Sequence, residues 1–201
     1  MTCLIITPYI EGALSDIIKG RKFDVVLCAD ASYEAAAAAG LTVDEVIGDF
    51  DHGNAPEFEN IVRVPCEKDD TDTMLCIKEA ISRGADDIFI AGGIGGRLDH
   101  TVANIQSLAY AHSKGVRAVL ADASNEAMIV SGDAVFKKKE GYFSLFAYGG
   151  ECRGVTLVGA KYTLKDATLD GNFPLGVSNV ITDEFAALKI QSGRALVIFS
   201  K

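Results

Sequence analysis

The chain has 201 residues, 49% of them hydrophobic, with only 4 prolines; that is enough apolar material to bury a substantial core and too much for a disordered chain. A formal net charge of -9 repels polyanions and argues against a general nucleic-acid or anionic-membrane binder. With no N-terminal signal-peptide pattern and no apolar run near the roughly 18 residues that span a bilayer, a soluble, cytoplasmic protein is expected. Residues 3–7 read as a first strand, 12–19 as a short helix and 24–29 as a second strand. Asp30 follows that strand directly, and Ser32 is placed to cap an alanine-rich helix that Gly40 ends.

Residues 43–47 form a short apolar run, so Asp49 and Asp51 leave its end two residues apart and share one side while Phe50 turns inward. After a polar loop containing His52, residues 61–64 supply another strand. The next helix has Met74, Ile77 and Ile81 at helical spacing up to Gly84, with Asp69 as its N-cap and Asp69 and Asp72 both in its first turn. Carboxylates about 7 Å apart repel by about 2 kcal/mol at an effective dielectric near 20, so such a collection calls for a cation. An all-oxygen ligand set favours magnesium or manganese.

Residues 87–91 form a strand that empties into Gly92-Gly93-Ile94-Gly95-Gly96-Arg97, followed by Asp99 and a helix over about 101–113. Glycines let backbone N–H groups approach phosphate, and Arg97 offers a planar fork of donors. The loop is neither a dinucleotide fingerprint nor a P-loop. In the helix, Val102, Ile105, Leu108 and Ala109 are expected to face inward, with Asn104 and Gln106 on other faces. Residues 117–121 give a further strand.

Beyond residue 127 the pattern changes to short β-prone runs at 127–130, 134–137, 142–147, 155–158, 186–190 and 195–199, punctuated by glycine turns. A boundary near Gly132 is expected. The reading is therefore α/β: residues 1–131 as an open, mostly parallel sheet flanked by helices, then 132–201 as a smaller all-β, sandwich- or barrel-like domain. Gly176 to Asn179 reads as a turn. The five cysteines contain no Cys-x-x-Cys pair and fit a reducing compartment.

Four motifs in order carry a resemblance. Gly48-Asp49-Phe50-Asp51, Lys68-Asp69-Asp70-Thr71-Asp72, Gly95-Gly96-Arg97-Leu98-Asp99-His100 and Gly176-Val177-Ser178-Asn179 are similar to those of the thiamine pyrophosphokinase family, and together they span most of the chain. The resemblance implies transfer of a diphosphate from ATP to the hydroxyethyl group of thiamine, giving thiamine diphosphate and AMP. It implies Mg²⁺ held by Asp49, Asp51 and Asp72, with Asp69 also catalytic. Nucleotide contacts would come from Asp30, Thr71, Gly95, Gly96, Arg97 and Asp99, and thiamine contacts from Ser178 and Asn179. A homodimer is implied as well. Where the family usually has Ala-Asp-Gly-Gly-Ala-Asn, this chain has Ala29-Asp30-Ala31-Ser32-Tyr33-Glu34, keeping the acid and losing both glycines, which leaves the preferred nucleotide open.

Overall fold

The computed structural model describes residues 1–50 and 58–201, which divide into two compact units, Met1–Ala123 and Ser124–Lys201. In the first unit, Thr2–Ile6 (β1), Val25–Ala29 (β2), Glu45–Gly48 (β3), Ile61–Arg63 (β4), Asp87–Ala91 (β5) and Arg117–Ala121 (β6) pair in parallel in the order β6-β5-β1-β2-β3-β4. Cys3, Leu4, Ile5 and Ile6 are fully buried, as expected of a central parallel strand covered on both faces. The chain steps one way from β1 to β4, then crosses back to place β5 on the other side of β1. That reversal creates a crevice between the carboxyl ends of β1 and β5.

Four helices accompany these strands among the described residues: Leu14–Ile17 (α1), Tyr33–Ala38 (α2), Asp72–Ser82 (α3) and Leu98–Ser113 (α4). Three details differ from expectation. The N-cap of α3 is Thr71, whose Oγ1 accepts from Met74 N at 3.2 Å, so Asp69 lies outside the helix. Ser32 does not cap α2; its hydroxyl donates to the Ile6 carbonyl at 2.9 Å, tying the turn after β2 to β1. The buried side of α4 is formed by Asn104, Ser107, Leu108, Ala109 and Ala111, while Val102 is 49% exposed. Leu108 and Ala109 face inward as expected; the helix begins three residues earlier than its apolar pattern indicated, and its inward polar groups are satisfied by hydrogen bonds, so hydropathy missed Asn104 and Ser107 and wrongly included Val102.

The second unit contains Asn125–Val130 (β7), Asp133–Lys137 (β8), Tyr142–Ala147 (β9), Cys152–Val158 (β10), Leu164–Leu169 (β11), Gly176–Asn179 (β12), Phe185–Lys189 (β13) and Ala195–Ser200 (β14). Two antiparallel arrays form, β12-β9-β14-β7 and β11-β10-β13-β8. Phe136 of β8 meets Phe199 of β14 edge-on at 5.6 Å, and Phe199 stacks on Phe143 of β9 at 5.9 Å, so aromatic packing joins the two sheets as a sandwich. The division falls at 123/124 and not near Gly132, because β7 pairs along its whole length with β14, from Asn125 opposite Ser200 to Val130 opposite Ala195. Residues 176–179, expected as a turn, form an edge strand against β9.

Among the described residues no helix is long and apolar enough to cross a membrane. Burial pushes the Cys3 thiol up to about 12 and the Cys28 thiol to about 11, so both stay protonated core residues.

The start of β1 is fastened to the start of β2 by Asp24, whose Oδ2 accepts from Thr2 N at 2.7 Å and from Thr2 Oγ1 at 3.1 Å. These bonds, the backbone one foremost, hold the Asp24 carboxyl below its ordinary value of 3.8. A depressed carboxylate stabilises the fold above the unfolded-state pKa and loses that contribution as pH falls through the folded one. Asp24→Asn should therefore lower the melting temperature at neutral pH. The difference from wild type should shrink as pH falls below 3.8; a deficit equally large in acid would contradict this assignment.

Candidate active site

Because the strands of the first unit are parallel, the segments after β1, β2, β3 and β5 all emerge at one edge of the sheet. Asp30 and Asp49 stand there on neighbouring strands. Asp30 is buried at a left-handed φ of 48°, and its Oδ1 accepts from Phe50 N at 3.1 Å, with Phe50 itself at φ 55°. Such non-glycine conformations persist where the surroundings over-determine them. Gly48 is what permits the approach: a Cβ there would lie 2.7 Å from Asp30 Cα. The three residues fix the direction in which Asp49 leaves the strand.

Lys68, in the segment between β4 and α3, reaches back to this point. Its Nζ lies 2.5 Å from Asp49 Oδ2 and 3.1 Å from Asp72 Oδ1. All three side chains are largely buried, at 15%, 12% and 20% exposure for Lys68, Asp49 and Asp72. The contact with Asp72 has the distance of an ion pair without hydrogen-bond alignment, so Asp72 Oδ1 is buried with no hydrogen-bond partner. Burial raises the Asp72 pKa, Lys68 opposes that, and the charges of Asp49 and Asp30 add to the rise; the net shift is upward. For Lys68, burial acts downward, and the contacts with Asp49 and then Asp72 more than reverse it.

The remaining acids are placed differently. Asp51 lies outside the described residues. Asp69 is exposed, and Asp70, its neighbour, is paired with Lys78 at 2.6 Å. Among the described residues no three His, Cys, Asp or Glu side chains converge on one point. The structure thus brings Asp49 and Asp72 together through Lys68, sets Asp30 behind Asp49 and leaves Asp69 at the surface.

The glycine loop occupies the crevice between β5 and β1, pinned from three sides. Gly93 N donates to the Tyr9 carbonyl at 2.7 Å, Asn104 Nδ2 donates to the Gly93 carbonyl at 2.9 Å, and Gly95 N donates to Thr101 Oγ1 at 3.0 Å. The Tyr9 ring lies against Gly95 and Gly96 so closely that a Cβ at either would meet ring atoms at 3.0 Å and 2.8 Å. Tyr9, Asn104 and Thr101 were not singled out in the sequence. Only the glycine pairs signalled that something bulky must lie against that backbone. Arg97 and Asp99 are both exposed and paired with each other, Nε to Oδ1 at 3.1 Å, which holds the Asp99 carboxyl below its ordinary range. Asp99 sits in the first turn of α4, and Arg97 holds the N-cap position without a side-chain cap.

In the second unit, Ser178 is exposed at φ 58°, and its N–H donates to Ser144 Oγ on β9 at 3.1 Å. Asn179 is buried and committed to the backbone: Oδ1 accepts from Tyr162 N at 3.0 Å and from Val180 N at 2.8 Å, while Nδ2 donates to the Tyr162 carbonyl at 2.7 Å. Its amide fastens the segment bearing Tyr162, whose side chain is 57% exposed.

An open parallel sheet with a pair of acids and a braced glycine loop at its carboxyl edge is the arrangement of an α/β ligand-binding unit. Comparison with known proteins supplies the family. The model of the thiamin pyrophosphokinase catalytic domain matches residues 20–120, and that of the thiamin pyrophosphokinase vitamin B1 binding domain matches residues 134–197. A thiamine pyrophosphokinase of Bacillus subtilis (strain 168) is 29% identical over 172 residues, covering 81% of this chain and 80% of the relative. Among solved structures, a thiamine pyrophosphokinase from Bacillus subtilis matches with a TM-score of 0.91 at 24% identity, covering 100% of this chain and 99% of that one. A thiamin pyrophosphokinase family protein from Enterococcus faecalis matches at 0.83 and 26%, with the same coverage. The chain belongs to the thiamin pyrophosphokinase family.

The close approach at Gly48 gives a direct test. Gly48→Ala forces a methyl against the Asp30 backbone and should destabilise the protein by about 1–3 kcal/mol in urea unfolding. Unchanged stability would show that β3 passes Asp30 with room to spare.

Proposed function

We propose that the protein transfers a diphosphate from ATP to the hydroxyethyl oxygen of thiamine, forming thiamine diphosphate and AMP. The observation that carries this reading is the part-buried pairing of Asp49 and Asp72 about Lys68, at one sheet edge shared with a glycine loop at the topological switch point. The donor set fits Mg²⁺: carboxylate oxygens only, one of them a buried atom of Asp72 that has the Lys68 ammonium 3.1 Å away and no aligned hydrogen bond. Asp49 and Asp72 would hold the ion, with Asp51 completing the set and Asp30 bracing Asp49 from behind. When bound, the ion neutralises the triphosphate and withdraws charge from the phosphorus under attack.

The protein's own part is positioning. The N–H groups of Gly92, Gly93 and Gly95 are engaged inside the protein and fix the shape of the 92–97 loop, which leaves the backbone at Gly96 and Arg97 as the part that suits phosphate oxygens. Arg97 offers its guanidinium to phosphate in exchange for Asp99, and Thr71 presents the N-terminus of α3. Asp69, exposed ahead of that helix, is assigned an orienting role toward the reacting groups. In the second unit, Ser178 is the thiamine contact we favour. Asn179 acts by holding the Tyr162 segment, since its amide is already committed. The exposed apolar residues Phe173, Leu175 and Val177 along and beside edge strand β12 suit a homodimer contact.

Purified protein given Mg²⁺, ATP and thiamine should form thiamine diphosphate and AMP in equal amounts, and neither when metal or thiamine is omitted. Asp72→Asn should lower kcat by about 100-fold or more, since even groups that only orient metal ligands are worth 10- to 100-fold. AMP released at the same rate without thiamine would replace this reading with nucleotide hydrolysis.

A further inference from the structure

Lys68 is placed where a cation of the proposed site would have to go. Its ammonium is 2.5 Å from Asp49 Oδ2 and 3.1 Å from Asp72 Oδ1, and it is buried with them. The Asp49 oxygen that accepts this bond cannot direct the same lone pair at a divalent ion about 2.1 Å away, and the ammonium charge beside Asp72 repels one. Two further facts argue against a purely structural ion pair. The ammonium is well engaged with one carboxylate only, and the oxygen it leaves without a hydrogen bond is the buried one. A buried pair kept for stability would be expected to satisfy that atom.

We propose that Lys68 is a built-in counter-ion that holds Asp49 and Asp72 together in the absence of metal and is displaced when the divalent cation binds. The proposal rests on the metal assignment of the proposed function and adds a residue that competes with the metal. Without Lys68, the two part-buried carboxylates lose the cation they share, so the metal-free protein is destabilised. A divalent ion then meets the two carboxylates without competition from the Lys68 ammonium and binds more tightly. Loss of a merely structural lysine has the opposite consequence for the metal, because a loosened site binds it less well.

The test is titration with Mn²⁺ alone, followed by electron paramagnetic resonance, together with melting temperatures in chelator and in saturating Mn²⁺. Lys68→Met should bind Mn²⁺ at least about 10-fold more tightly than wild type, melt lower in chelator and gain more on adding Mn²⁺. Lys68→Gln serves as a second charge-removing variant should Lys68→Met fail to fold, and Lys68→Arg should restore near-wild-type affinity. Equal or weaker Mn²⁺ binding in folded Lys68→Met or Lys68→Gln would overturn the proposal while leaving the metal site standing. Unaltered Mn²⁺ affinity in Asp72→Asn would instead remove the metal from Asp72, and the proposal with it.

Discussion

Two buried carboxylates of like charge, on segments far apart in sequence, are the constraint on which the first unit depends. Asp49 leaves β3 and Asp72 opens α3, and Lys68 lies between them. Their repulsion would splay the edge of the sheet without a cation, and the fold meets that cost with stiff surroundings. Asp30 and Phe50 are held in left-handed conformations, Gly48 admits the contact between neighbouring strand ends, and Thr71 closes the first turn of α3. Each feature removes a way for the carboxylates to move apart.

The crevice between β1 and β5 solves the complementary problem of offering donors to an anion. A loop rich in glycine is entropically costly to order. Here its conformation is fixed by neighbours: the Tyr9 carbonyl on one side, Asn104 and Thr101 of α4 on the other, and the Tyr9 ring against Gly95 and Gly96. The second unit shows the same economy, with Asn179 spending its whole amide on the backbone of Tyr162 and Val180 so that Tyr162 remains at the surface.

Much of this was legible in the sequence because strand-helix alternation is written in hydropathy. The strands at 87–91, 117–121 and 142–147 fall where their apolar runs place them. What was not legible depends on pairing over long distances. The place of β7 in the second unit follows from its register with β14, some 70 residues on, and β12 reads as a turn until β9 lies beside it. At the site, motif spacing brought out Asp49, Asp72 and Lys68, but not that the lysine joins the two acids. Tyr9 was invisible, since an aromatic after a first strand carries no periodic signal. Asn104 was assigned to the wrong side of α4 because a satisfied buried amide looks, in sequence, like a surface residue.

The Asp49–Asp72 edge and the 92–97 loop are proposed to form one site for a metal-bound triphosphate. That shared site is tested most directly by a crystal structure of the protein with Mg²⁺ and a non-hydrolysable ATP analogue. A cation is expected about 2.1 Å from oxygens of Asp49 and Asp72, with the polyphosphate against the backbone of Gly95 and Gly96. A nucleotide bound away from that loop, or a cation held by neither aspartate, would contradict it.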